Sequence, residues 1–152
     1  MAIQFIYNER SATTTESAEH PRAVQNVGEL SEFIGSVIID ATRAGENIMM
    51  EVVTSESAYD HQILEVGISS DGKRGFVHVA SDDGPARLTR GDASSDSTLA
   101  IYRFEGRARE VPASHEVPLT IVAEVLEIYL TTDGNIPADC PHLHSAPCAD
   151  AG

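Results

Sequence analysis

Residues 63–81 read ILEVGISSDGKRGFVHVAS. Leu64, Val66 and Ile68 alternate with Glu65 and Gly67, the two-residue period of a strand with one buried face. Asp71-Gly72 follows, and both residues tolerate positive φ, so a tight turn is expected there. Gly75 to Ala80 (GFVHVA) then runs back. Two strands joined by so short a turn can only lie antiparallel, and this fixes the sheet type.

Outward from this pair the same texture continues. Ile48 to Val53 (IMMEVV) reads as the preceding strand, and Ala2 to Tyr7 (AIQFIY) as the first. Asp83-Gly84 offers a second turn before Ala86 to Arg90. A polar loop, Gly91 to Ser97, leads into Thr98 to Phe104 (TLAIYRF). In that strand Leu99 and Ile101 point one way and Tyr102 and Phe104 the other, which predicts burial on both faces.

Two segments carry a helical period instead. From Val27 to Ala44, Leu30, Phe33, Ile34, Val37, Ile38 and Ala41 recur at three- and four-residue steps and share a face. Asn26 is placed to cap the first turn with Glu29 three residues on, and Gly45 to end the helix. Pro118 fits the first turn of a second helix. Its apolar stripe is Leu119, Val122, Val125, Leu126, Tyr129 and Leu130, with Glu124 and Glu127 toward water, and Gly134 and Pro137 close it.

The expected fold is therefore α+β: an antiparallel meander of about five to six strands with two amphipathic helices packed on one face. Residues 1–137 form the single domain, with a loop over 8–23. Residues 138–152, rich in Pro and small side chains, read as an irregular C-terminal tail. The other face of the sheet is left for solvent or a partner.

Composition narrows the function. The chain has 152 residues, 24 acidic against 10 basic, for a formal net charge of −14. Phosphates are drawn to Lys and Arg, so a nucleic-acid binder is disfavoured, as is adhesion to an anionic membrane. No stretch approaches the roughly 20 apolar residues of a membrane span. Met1 to Arg10 lacks the basic start and apolar core of a signal peptide. The expected location is cytoplasmic.

Three groups of residues invite chemistry. Cys140, His142, His144 and Cys148 lie within nine residues, but their spacing is not that of a zinc finger or ribbon. Incidental ligands on a tail, or a Cys140–Cys148 disulfide outside a reducing cytosol, are the competing readings, and no metal is assigned. His20, His61, His78 and His115 are scattered. His78, beside Phe76 on a strand, reads as a partly buried histidine, and no catalytic motif accompanies any of them. The acidic residues Asp82, Asp83, Asp92, Asp96, Glu105 and Glu110 sit in or beside the turns of the meander. Their ordinary reading is a solvated rim. Their functional reading is a carboxylate patch for a basic cleft, with Arg87, Arg90, Arg103, Arg107 and Arg109 interleaved and partly pairing them.

Three stretches carry a resemblance: the strand pair over 63–81, the strand LAIYRFEG (99–106) with its irregular continuation, and the closing run VPLTIVAEVLEIYLTTDGNIPADC (117–140). Together with the helix from Gly28 to Ala44 they resemble the Imm1 family of bacterial immunity proteins. Members often carry a Trp just after the final turn, where this chain has Pro141-His142-Leu143. The resemblance implies a cytoplasmic inhibitor, not an enzyme, that needs no cofactor and binds a cognate secreted toxin. Such toxins are often nucleic-acid deaminases or nucleases, and an inhibitor would occlude their basic active-site cleft. The competing reading is a small-molecule or antibiotic-sequestering protein with a pocket lined by Met49, Met50, Phe76 and Tyr102. An exposed sheet edge would also allow a homodimer.

Overall fold

The computed structural model describes residues 3–6, 22–54, 62–80, 86–91, 98–104 and 107–145. In chain order the elements are β1 (Ile3–Ile6), β2 (Arg22–Val24), α1 (Val27–Ala44), β3 (Asn47–Thr54), β4 (Ile63–Ile68), β5 (Arg74–Ala80), β6 (Arg87–Leu88), β7 (Leu99–Phe104), β8 (Arg107–Pro112), a 3-10 turn (Ala113–His115), β9 (Val117–Pro118), α2 (Leu119–Thr131) and β10 (His144–Ser145).

The expected strand pair is β4 and β5, antiparallel with Leu64 opposite Val79 and Ile68 opposite Gly75. Its turn is held by the Asp71 carboxylate, which accepts from the Ser69 hydroxyl and from the Lys73 amide. Gly72 takes φ 69°. The main sheet runs β10-β6-β5-β4-β3-β1-β2. Ten strands are found among the described residues, more than the five to six expected. Four were not expected: β2, β9 and β10, of two or three residues each and too short to show a period, and β8, six residues long but exposed at its first four positions.

α1 has the expected limits because both ends are chemically specified. Asn26 Oδ1 accepts from the Glu29 amide at 2.9 Å, and Glu29 Oε1 accepts from the Gln25 amide at 2.8 Å. At the other end Gly45 sits at φ 65°. The Gly45 amide donates to the Thr42 carbonyl and the Glu46 amide to Ala41, the paired bonds of a Schellman closure. α2 has no side-chain cap at Pro118. Its first amide, on Leu119, donates instead to the Lys73 carbonyl at 3.1 Å, which fastens the helix to the end of β5.

Both helices lie on one face. Leu30, Phe33, Val37 and Ala41 of α1 and Val122, Val125, Leu126, Tyr129 and Leu130 of α2 share a core with Ile48, Met50 and Val52 of β3 and Leu64, Val66 and Ile68 of β4. The Tyr129 hydroxyl, deep in this layer, donates to the Gln62 carbonyl at 2.6 Å. Burial raises its pKa, so it stays a donor. The tail joins the same core. Cys140 and Leu143 are buried in it, and β10 pairs with β6 through His144 opposite Leu88. Of the expected 8–23 loop, Arg22 and Ala23 belong to β2, and 8–21 lie outside the described residues.

Candidate interaction face

The face turned away from the helices is partly covered by β7 and β8. β7 pairs with β3 in parallel at Asn47–Tyr102 and Ile48–Arg103, and antiparallel with β8 along its whole length. Tyr102, Phe76, Met49 and Val111 form a second buried cluster there. The Phe76 and Tyr102 rings meet edge to face, centroids 4.9 Å apart, a preferred aromatic geometry. Gly67 of β4 permits the close approach, since a Cβ there would overlap both rings. The Tyr102 hydroxyl donates to Glu116 Oε2 at 2.6 Å. Burial, and then the Glu116 carboxylate, raise its pKa.

Beside this cluster three titratable side chains form a chain across three segments. Glu65 Oε1 on β4 lies 3.8 Å from His78 Nδ1 on β5. His78 Nε2 meets His115 Nδ1, in the 3-10 turn, at 3.0 Å. A contact that short between ring nitrogens needs one proton between them, with one ring donating and the other accepting. The His78 imidazole holds the Glu65 carboxyl below its ordinary range against the opposing effect of burial, and Arg109 of β8, 3.5 Å away, adds to this. His115 is also lowered, by burial first and then by the charges of His78 and Arg90. The buried Thr89 hydroxyl fixes the backbone, donating to the His115 carbonyl at 2.8 Å and accepting from the Val77 amide at 3.0 Å. The two rings can share a proton between them. The evident work of the three side chains is to tie β8 and the turn after it to the sheet.

Residues 18–145, from before β2 through β10, match the family model described as immunity protein Imm1. The chain belongs to the Imm1 family. No curated protein matches it. Among the described residues no helix is long and apolar enough to cross a membrane.

Of the six acidic residues singled out in this Imm1 chain, Asp82, Asp83, Asp92, Asp96 and Glu105 lie outside the described residues. Glu110 is described, and it does not flank a turn: it is an exposed position within β8, opposite Ile101. The interleaved arginines have other engagements. Arg103 lies 3.6 Å from Glu46 and Arg109 reaches Glu65. Arg87 donates to the Pro137 and Ile136 carbonyls at 2.7 and 3.0 Å, binding β6 to the segment after α2.

The expected double burial of β7 is corrected. Tyr102 is fully buried, but Leu99 is 49 % and Ile101 48 % exposed, because the outward side of the hairpin has nothing packed on it among the described residues. The pocket imagined around Met49, Met50, Phe76 and Tyr102 does not form either. Met50 belongs to the helix-side core and the other three to the opposite cluster, all essentially without exposure. An open groove lies elsewhere, between β2 and α1, lined by Ala23, Val24, Glu29, Glu32, Phe33 and Ser36.

In the tail, His142 Nε2 pairs with Glu124 Oε2 of α2 at 2.6 Å, while Cys140 is buried and His144 is exposed on β10. No three His, Cys, Asp or Glu side chains gather to hold a metal ion among the described residues. Cys148 lies outside them. Sequence reasoning missed the Glu65–His78–His115 chain. Its members are 13 and 37 residues apart, and only the place of His78 beside Phe76 hinted at partial burial.

Proposed function

We propose that this protein is a cytoplasmic antidote that binds a cognate secreted toxin and holds it inactive in the cell that makes it. The observation that carries this is the Imm1 match across most of the chain. The charge of −14 supports a basic partner. A toxin acting on DNA or RNA needs a cationic substrate cleft, and an acidic protein is steered toward one faster than a neutral one. The favoured target is therefore a nucleic-acid deaminase or nuclease, with its cleft occluded by a bound, non-catalytic partner. Asp82, Asp83, Asp92, Asp96, Glu105 and Glu110 are proposed as the steering carboxylates.

The test is stoichiometric inhibition. A toxin domain encoded by a neighbouring gene, which this reading expects, is purified and its turnover of DNA or RNA measured against increasing amounts of this protein. Activity is expected to end near one equivalent. Undiminished turnover at a large excess would dismiss the reading.

A further inference from the structure

We propose that the outward face of the β7–β8 hairpin, centred on Leu99 and Ile101, is the surface on which the toxin docks. This rests on the antidote reading and adds the place of contact. The first observation is a mismatch between pattern and environment. A strand with one face in water ordinarily alternates apolar with polar residues. β7 carries large apolar residues on both sides, Leu99 and Ile101 on one and Tyr102 and Phe104 on the other, yet only the side of Tyr102 is covered. Leu99 and Ile101 are neighbours on one face of one strand, with Pro112 and Glu110 opposite them on β8. The other large exposed apolar side chains among the described residues, Val27 and Ile39, stand three turns apart on α1 and make no such pair.

The second observation is charge. Arg103, on the same face, is held by Glu46, and Arg109, on the inner face, by Glu65. Glu110 is exposed next to Ile101 and makes no ion pair among the described residues. The face thus offers two aliphatic anchors and an uncompensated carboxylate. It fits a partner with an apolar recess rimmed by Lys or Arg, and it does not fit a second copy, because two chains of −14 repel each other. The third observation is rigidity. β7 is bonded to β3 and β8, and Asn47 Nδ2 donates to the Ile101 carbonyl at 2.9 Å. Anchors already fixed lose little further freedom on binding.

The probe is the toxin domain that the inhibition assay identifies, catalytically inactivated, immobilised and titrated with full-length protein. Leu99→Ser with Ile101→Ser is compared with Val27→Ser with Ile39→Ser, after thermal melting establishes that each variant folds. The hairpin pair is expected to raise Kd about 10- to 100-fold, the range of a hot-spot loss, and the helix pair to leave it within about twofold. Glu110→Gln, a substitution at an exposed position, keeps the question open to test if the serine pair fails to fold. It is expected to slow association at low salt several-fold. Wild-type binding that both hairpin variants reproduce would overturn this surface and leave the antidote reading intact. A wild-type protein that does not bind the toxin would overturn both. A wild-type dimer in sedimentation, dispersed by the same serines, would assign the face to a second copy and overturn the proposal.

Discussion

Replacing Gly67 by alanine probes how closely the β7–β8 hairpin lies on the sheet. The added Cβ would overlap the ring edges of Phe76 and Tyr102. Neither ring can swing aside into water, since both are fully buried. Tyr102 is also pinned by its bond to Glu116. The backbone at Gly67 is not in the left-handed region, so alanine brings no φ strain and would reduce the freedom of the unfolded chain, worth about 0.4–1 kcal/mol in favour of folding. Overpacking a tight core costs about 1–3 kcal/mol. The steric effect wins, and the net loss is roughly 1–2 kcal/mol. For a domain of this length that lowers Tm by about 2–8 °C. Thermal melting by circular dichroism reads it directly. In a Phe76→Leu background the alanine should cost less, because one of the two obstructing rings is gone, and the double-mutant cycle isolates that coupling. A Gly67→Ala protein that melts at or above the wild-type temperature, with no coupling to position 76, would refute the packing described for this face.

Acidification is expected to destabilise the protein in two stages. His115 has a folded pKa below its ordinary 6.5, so the unfolded chain binds the extra proton first; stability is complete above pH 6.5 and erodes as pH falls below it. Glu65 and Asp71 are depressed below 4.5 and 3.8, so their contributions are lost only further down. Urea titrations from pH 8 to 2 should show this order, and His115→Gln should flatten the upper stage while leaving the lower one; an unchanged upper stage would remove His115 from the account. Asp82→Asn with Asp83→Asn is expected to slow toxin association and flatten its salt dependence. On-rates equal to wild type at low ionic strength would sink that steering role.

What the sequence discloses follows from the range of the interaction concerned. α1 is specified within its own span and nearest neighbours, by Asn26, Glu29 and Gly45, so its limits were legible to the residue. β4 and β5 announce themselves through alternation and a turn only two strands can use. β8 was missed because Arg107, Arg109 and Glu110 leave Val111 as its one buried side chain. That is the appearance of an edge strand whose charges discourage pairing with another chain. β9 and β10 are strands only because β5 and β6 offer them free edges, which no local pattern records. The tail was read as irregular from its composition, but Cys140 and Leu143 find a core built by residues far upstream. The six acidic residues stood out by charge and turn position, and of those only Glu110 has a described position, inside β8.

β7 separates two demands that usually compete. At its even positions Ala100, Tyr102 and Phe104 face the second cluster and hold the hairpin to the sheet. At its odd positions Leu99 and Ile101 stand about half exposed, outside both buried clusters. On the docking proposed above, partner specificity is therefore written on one side of a strand and stability on the other. A substitution at an odd position can change the partner at little cost in folding, because an exposed side chain typically shifts stability by less than about 0.5 kcal/mol. One at Tyr102 forfeits a buried ring and leaves Glu116 without its donor. By the same division the contact surface can be rewritten while Gly67, Phe76 and Tyr102 keep the hairpin where it is.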